Sequence, residues 1–317
     1  MVILRIYREL EEQFVIDRYY TGVFLVILSA VGFALLPIFG LYAYGYDVSV
    51  QTLLFFRFFI ASILFFSYII FKGLPWRLNR GQLFSLFILG GILYTIMSNF
   101  YLSSVKFIPA SLAVLLLYTY PIFVTILAFF VEKERLSLQN MAAIGLCFLG
   151  LYIVLRAPFH NMNYLGVFFA LGAAVAYGIY IIFSRQVVTQ VSPLVTSAYV
   201  TLFASISLFA LGIFLNTLNL SSIASGFAWL PVMGVALCST VIAIFTFFIG
   251  VSLIGSTKAS IISTVEPLIT IILSTLLFGE ALTVLQLVGG LLVLGGAILA
   301  VLPTVGIRKF ASNSQKG

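Results

Sequence analysis

Of the nine Asp and Glu residues in this 317-residue chain, one, Glu266, falls inside an uninterrupted apolar stretch. The others (Glu9, Glu11, Glu12, Asp17, Asp47, Glu132, Glu134 and Glu280) lie in polar connections or at the ends of apolar runs. A carboxylate in the middle of hydrocarbon costs about 2.5–3.5 kcal/mol even on insertion scales, so Glu266 is expected to be protonated, paired or facing water. Such a group suits proton uptake and release. The structural alternative is a neutral carboxyl bonded to a neighbouring helix or to a carbonyl freed by Pro267. Arg57 stands about nine residues into another apolar run, and a guanidinium there keeps its charge at any relevant pH. It needs a carboxylate, helix carbonyls or an anionic ligand. Ion pairing with Glu266, capture of a carboxylate or phosphate, and a purely structural arginine all remain open at this stage. Lys258 begins its run and is expected to snorkel to the membrane surface.

Prolines and polar side chains gather around these charges. Pro37, Pro121 and Pro267 each remove a helical hydrogen bond inside an apolar run and are expected to bend it. Near them stand Tyr118, Thr119 and Tyr120, then Ser260, Ser263 and Thr264, with Tyr94, Ser98 and Asn99 in a third run and Tyr177 and Tyr180 in a fourth. Hydroxyls and amides can orient a polar ligand, and tyrosine rings can stack on an aromatic or cationic one. Any one of them taken singly is more often interhelical glue. Asn99 is favoured, because an amide in hydrocarbon requires several partners.

Catalytic constellations are not expected. No phosphate-binding loop occurs, no His/Cys/Asp grouping offers metal ligands, and no serine has a base nearby, so neither an enzyme nor a cofactor is anticipated. Cys147 and Cys238 sit in apolar runs, which supports neither a disulfide framework nor a zinc site. His160 is a lone histidine in a loop.

The elements that must position these residues follow from composition. The chain is 62% hydrophobic and 8% charged, whereas a soluble domain is roughly 25% charged. Nucleic-acid binding and disorder are excluded on the same ground. Ten apolar stretches, near 20–42, 48–71, 82–104, 109–131, 136–155, 163–184, 194–215, 227–250, 257–278 and 282–303, match helices crossing a bilayer. Residues 1–18 form a charged segment ahead of the first stretch, with Ile3, Ile6, Leu10 and Phe14 on one helical face, suited to lie along the interface. No cleavable signal is evident. With the amino terminus inside, thirteen Lys and Arg residues fall in inner segments and two, Lys106 and Arg156, outside. That bias predicts both termini cytoplasmic in the cell (inner) membrane, with 306–317 as a cytoplasmic tail.

The chain also repeats itself. Pro121, Glu134, Ser137 and Gly150 fall on Pro267, Glu280, Thr283 and Gly296 at a constant offset of 146. Gly22 on Gly166 and Gly90 on Gly234 follow at 144. Five spans per half is an odd number, so the second half enters the membrane from the opposite side. Inverted repeats of this kind typify secondary transporters, with the substrate site at mid-membrane between halves. The expected fold is therefore an all-α polytopic membrane protein of ten transmembrane helices in two inverted five-helix repeats, 19–156 and 163–305.

The stretches SSVKFIPASLAVLLLYTYPIFVTILAFFVEKERL and VSLIGSTKASIISTVEPLITIILSTLLFGEAL, together with the Glu266-Pro267 and Gly279-Glu280 dipeptides and Arg57, resemble the two copies of the EamA domain of the drug/metabolite transporter superfamily. The first copy departs from the second by carrying Tyr120 where the second has Glu266. The resemblance implies a carrier of a small organic metabolite such as an amino acid, working by alternating access, with protons as a coupling partner. A drug efflux carrier and a membrane flippase or enzyme acting on lipid head groups are the alternatives. Glu134 and Glu280, at span ends, are expected to be caps or topology markers and not catalytic groups. Candidate site residues are thus Glu266, Arg57, Asn99, Tyr94, Ser98, Tyr118, Tyr120, Tyr177 and Ser263, with Pro37, Pro121 and Pro267 as gating kinks. The expected partners are a small-molecule substrate and the lipid bilayer; substrate identity and oligomeric state are not encoded legibly.

Overall fold

The structure, a computed structural model, describes residues 2–131, 138–156, 163–188, 190–223, 226–254, 262–263, 265–280 and 282–301. Six helices are long and apolar enough to cross a bilayer: Tyr19–Tyr44, Val50–Phe71, Arg80–Ser104, Tyr164–Ser184, Pro193–Phe214 and Gly226–Phe247. Four shorter apolar helices, Ala110–Val124, Met141–Val154, Val265–Phe278 and Val284–Leu299, complete ten spans among the described residues. In chain order these are spans one to ten. Span one continues a helix that starts at Val2, so residues ahead of Tyr19 are helical too.

Helices suit these apolar runs because hydrocarbon offers backbone groups no partner and a helix bonds them within one segment. Polar ends are tied off where the chain emerges. Asn79 and Gln82 cap the start of span three reciprocally, with Gln82 N–H donating to Asn79 Oδ1 at 2.8 Å and Asn79 N–H to Gln82 Oε1 at 3.0 Å. Ser49 starts span two by accepting from Thr52 N–H at 3.1 Å.

The packing follows the repeat. Span one lies against spans eight and nine, and span six lies against spans three and four. Spans two and seven pack on each other, as do spans five and ten. Exchanging the first half for the second maps each of these pairings onto another of them or onto itself, as a two-fold relation between five-helix halves requires. Small residues let the backbones meet. A methyl added at Gly150 would stand 2.6 Å from the Gly289 carbonyl, and one at Gly289 would stand 2.7 Å from the Gly150 carbonyl. Spans five and ten therefore cross in backbone contact. Ala30, Ala34, Ala174 and Ala176 are all buried at such crossings.

Two spans carry π-helical insertions among the described residues. Wide π-helical turns interrupt span three at Phe87–Tyr94 and span eight at Leu237–Ile242. Each is held by a threonine reaching back five residues. Thr95 Oγ1 donates to the Gly90 carbonyl and Thr240 Oγ1 to the Val235 carbonyl, both at 2.9 Å. Donor and acceptor alike shift by 145 between the halves. Insertions of this kind concentrate at functional sites, because they re-aim the side chains that follow them.

Candidate functional site

Span four is broken, not merely bent. The helix Ala110–Leu117 stops, Tyr118 and Thr119 form a turn, and a new helix, Tyr120–Val131, begins. The sequence favours a break at this point. Pro121 falls in the first turn of the second piece, where its missing N–H leaves nothing unbonded. Thr119 holds the turn by donating to the Leu116 carbonyl from both its backbone N–H, at 3.2 Å, and its Oγ1, at 2.7 Å.

The turn aims Tyr118 across to span nine. Its hydroxyl lies 2.9 Å from Glu266 Oε2 and 2.9 Å from the Ser263 carbonyl. Four residues past Ser263 is Pro267, which has no N–H to offer that carbonyl. Tyr118 thus supplies the donor the proline lacks. A phenol has one proton for two acceptors. With Glu266 protonated, the carboxyl donates to Tyr118 and Tyr118 donates to Ser263, and every group is satisfied. With Glu266 ionised, Tyr118 serves the carboxylate and the Ser263 carbonyl is released. The two protonation states therefore differ in a bond between the halves.

A chain of rings leads away from this contact. Tyr118 meets Tyr120 edge-on at 5.8 Å, Tyr120 meets Tyr177 at 4.7 Å, Tyr177 stacks on Tyr180 at 6.0 Å and Tyr180 stacks on Tyr94 at 5.2 Å. These separations suit edge-to-face and offset-stacked aromatic pairs. Spans three, four and six each contribute. Tyr101, on span three, lies within electrostatic reach of both Glu266 and Arg57.

Arg57 lies at the far end, only 2% exposed. Its Nε donates to Thr240 Oγ1 at 2.7 Å, and its guanidinium carbon sits 4.7 Å from the Phe58 ring centre. No ion pair joins it to Glu266 among the described residues, so the paired-charge expectation gives way to a threonine and an aromatic ring. Tyr94 and Tyr101 are its electrostatic neighbours. Several buried hydroxyls among the described residues carry no protein partner, including Ser98 Oγ and the Tyr101 hydroxyl on span three, Ser239 Oγ on span eight and Ser274 Oγ on span nine. Asn99 Nδ2 is also unpartnered, while its Oδ1 accepts from Ser103 Oγ at 3.4 Å. Asn99 stands about 100° round the helix from Ser98 and so leaves the face shared by Tyr94, Ser98 and Tyr101. Pro37, inside span one, is buried, and Thr270 of span nine reaches the Ala34 carbonyl, one turn before it, at 3.4 Å.

One end of the assembly is clasped. Gly279, with φ +68°, turns the chain beyond span nine in a conformation open to glycine, and this delivers Glu280 to the start of span four. The carboxylate accepts from Ala110 N–H at 3.1 Å, Ser111 N–H at 3.2 Å and Ser111 Oγ–H at 2.9 Å. Glu280 is a cap, as expected, but of the other half's helix and not its own. A carboxylate at a helix N-terminus is favoured both by the free N–H groups and by the helix dipole. In the same connection, the Lys106 ammonium sits 4.8 Å from the Tyr44 ring centre, and burial lowers its pKa from the usual lysine value.

The structure thus gathers Glu266, Tyr118, Ser263, Tyr120, Tyr177 and Tyr94 into one connected group, with Tyr180 and Tyr101 as members. Sequence reasoning singled out neither Thr240 nor Tyr101; the signals were the offset of 145 linking Thr95 to Thr240 and the i, i+4, i+7 spacing of Tyr94, Ser98 and Tyr101. Lys258, Ser260, Thr264, Glu134, His160 and the side chain of Pro121 lie outside the described residues.

Comparison with known proteins agrees with this architecture. An "Uncharacterized transporter" of Archaeoglobus fulgidus is 26% identical over 200 residues, spanning 63% of this chain and 70% of that protein. The "Uncharacterized transporter YcbK" of Bacillus subtilis is 25% identical over 289 residues, 88% of this chain and 92% of its own. A solved structure described only as a crystal structure of a protein shares the fold at TM-score 0.64 and 20% identity, covering 89% of this chain and 97% of that one. The EamA-like transporter family matches residues 20–156 and again 164–302. With five spans in each matched region, and the regions packed as reciprocal halves, this multi-pass membrane protein belongs to the EamA-like transporter family.

Proposed function

We propose that the chain is a secondary carrier that exports or exchanges a small organic metabolite, such as an amino acid or a related compound, by alternating access. The halves 19–156 and 163–305 exchange conformations, and the substrate occupies the space between them, against the tyrosine chain. Glu266 is the proton-coupling group. The observation that carries this reading is the Tyr118 hydroxyl shared between Glu266 and the Ser263 carbonyl. It links the carboxyl's protonation state to a contact between the two halves. Pro267 and the broken span four supply the backbone freedom such a change needs. The carrier is placed in the cell (inner) membrane, and the basic-residue bias supports cytoplasmic termini. The test is counterflow in proteoliposomes with a panel of amino acids, amines, organic acids and nucleosides, with and without a pH gradient. Accumulation of one class, enhanced by the gradient, supports the carrier; no exchange of any solute by active protein refutes it.

A further inference from the structure

Arg57 has no carboxylate to neutralise it among the described residues, although it is 2% exposed. Leaving a cation uncompensated inside a membrane protein costs several kcal/mol, and such a residue persists where a counter-charge arrives from outside the chain. The guanidinium is held in a fixed orientation. Nε is tied to Thr240 Oγ1 at 2.7 Å, Thr240 is itself tied to the Val235 carbonyl at 2.9 Å, and the Phe58 ring lies 4.7 Å away. With Nε anchored and Tyr94 its hydrogen-bonding neighbour, the guanidinium keeps further N–H groups to engage an oxyanion, the ligand that its planar fork suits.

Hydroxyl donors of span three adjoin it. Tyr94, Ser98 and Tyr101 follow one another at i, i+4 and i+7 and share a face of span three. Tyr94 and Tyr101 are the electrostatic neighbours of Arg57. The Tyr101 and Ser98 hydroxyls are buried, with residues 3% and 2% exposed, and neither has a hydrogen-bond partner in the protein. Buried hydroxyls are normally bonded. An orphaned phenol neighbouring a buried cation without a carboxylate, with an orphaned serine on the same helix face, describes an oxyanion site with no acceptor of its own.

We infer that Arg57, Ser98 and Tyr101 form a site for an oxyanion, and that this oxyanion is the substrate's own carboxylate, with the body of the substrate laid along Tyr94 and Tyr180. The assignment deepens the carrier reading and depends on it for the word substrate, but its binding chemistry can be examined without transport. Thr240 is a positioning residue: it aims the guanidinium and touches no ligand.

The experiment is thermal unfolding of the purified full chain in detergent. Three probes of one shape are compared: phenylacetate, its amide, and phenethylamine, with inorganic phosphate as the free-anion source. Phenylacetate is expected to raise the midpoint in a saturable way, and the amide and amine are not. Tyr101→Phe and Ser98→Ala should each weaken phenylacetate about tenfold, near 1.4 kcal/mol, and Arg57→Gln should abolish its effect. Arg57→Lys, which keeps the charge but loses the fork, should retain weak binding and guards against a misfolded Arg57→Gln. The site is overturned if the amide stabilises as well as the acid, if phenylacetate does not stabilise the wild type, or if phenylacetate stabilises Arg57→Gln or Arg57→Lys as strongly as the wild type. Stabilisation by phosphate alone overturns the assignment to the substrate's carboxylate. Failure of the carrier reading would instead show as carboxylate binding without counterflow of any solute.

Discussion

Tyr118 and Glu266 meet across the two halves of the protein with 2.9 Å between phenol oxygen and carboxyl oxygen, and the same phenol stands 2.9 Å from the Ser263 carbonyl left open by Pro267. With Glu266 ionised, its carboxylate and the Ser263 carbonyl therefore compete for the single phenol proton of Tyr118. The contact turns a protonation event into a change of interhelical bonding, which is what coupling requires of a structure.

Removing the phenol should expose this arrangement. Tyr118→Phe leaves the Ser263 carbonyl and a Glu266 oxygen without their donor, at a cost of about 1–3 kcal/mol for a buried group left unsatisfied. A lower unfolding midpoint and slowed gradient-driven exchange are expected, with gradient-independent exchange less affected. Thermal scans and proteoliposome assays on the same preparation check both.

The clasp at the end of span nine makes a residue-level prediction. Glu280→Gln replaces two acceptor oxygens by one and sets an NH2 group against the N–H groups of Ala110 and Ser111. Hydrogen exchange at those two amides should rise by about tenfold, an opening cost lowered by roughly 1.4 kcal/mol. Exchange elsewhere in span four should change less. Unaltered protection at both amides would show that the clasp does not hold that end shut.

The paired π turns should be unequal in strength. Thr95→Val removes one bond, to the Gly90 carbonyl, and is expected to lower stability by about 1 kcal/mol. Thr240→Val removes the matching bond to Val235 and also the partner of Arg57 Nε, and should cost about 2–3 kcal/mol, since bonds to charged groups are the stronger ones. Equilibrium unfolding of the two variants, compared directly, tests the ordering.

Much of this could be read from residue order. Apolar run lengths located the spans, the recurrence of Pro and Glu at an offset of 146 located the halves, and a single intramembrane carboxyl marked Glu266. What escaped was set by tertiary structure. Thr240 lies 183 positions from Arg57, and no local pattern announces that pairing. The π turns follow an apolar sequence indistinguishable from α-helix, apart from a threonine five residues beyond the opened carbonyl. Glu280 is legible as a cap, but its helix lies 169 and 170 positions away in the other half. Composition marked Asn99 as an amide in need of partners, and its Nδ2 is buried without one, but only helix geometry says that it faces away from Tyr94, Ser98 and Tyr101.

The central claim is that Glu266 carries the proton. Its most direct test is exchange by Glu266→Gln in proteoliposomes with and without an imposed pH gradient, alongside wild type. Glutamine keeps the shape and can donate to Tyr118, so the fold and the Ser263 bond should survive, and exchange at equal pH should persist. The account predicts that the gradient no longer drives accumulation in this variant; accumulation at wild-type level under the gradient would contradict it.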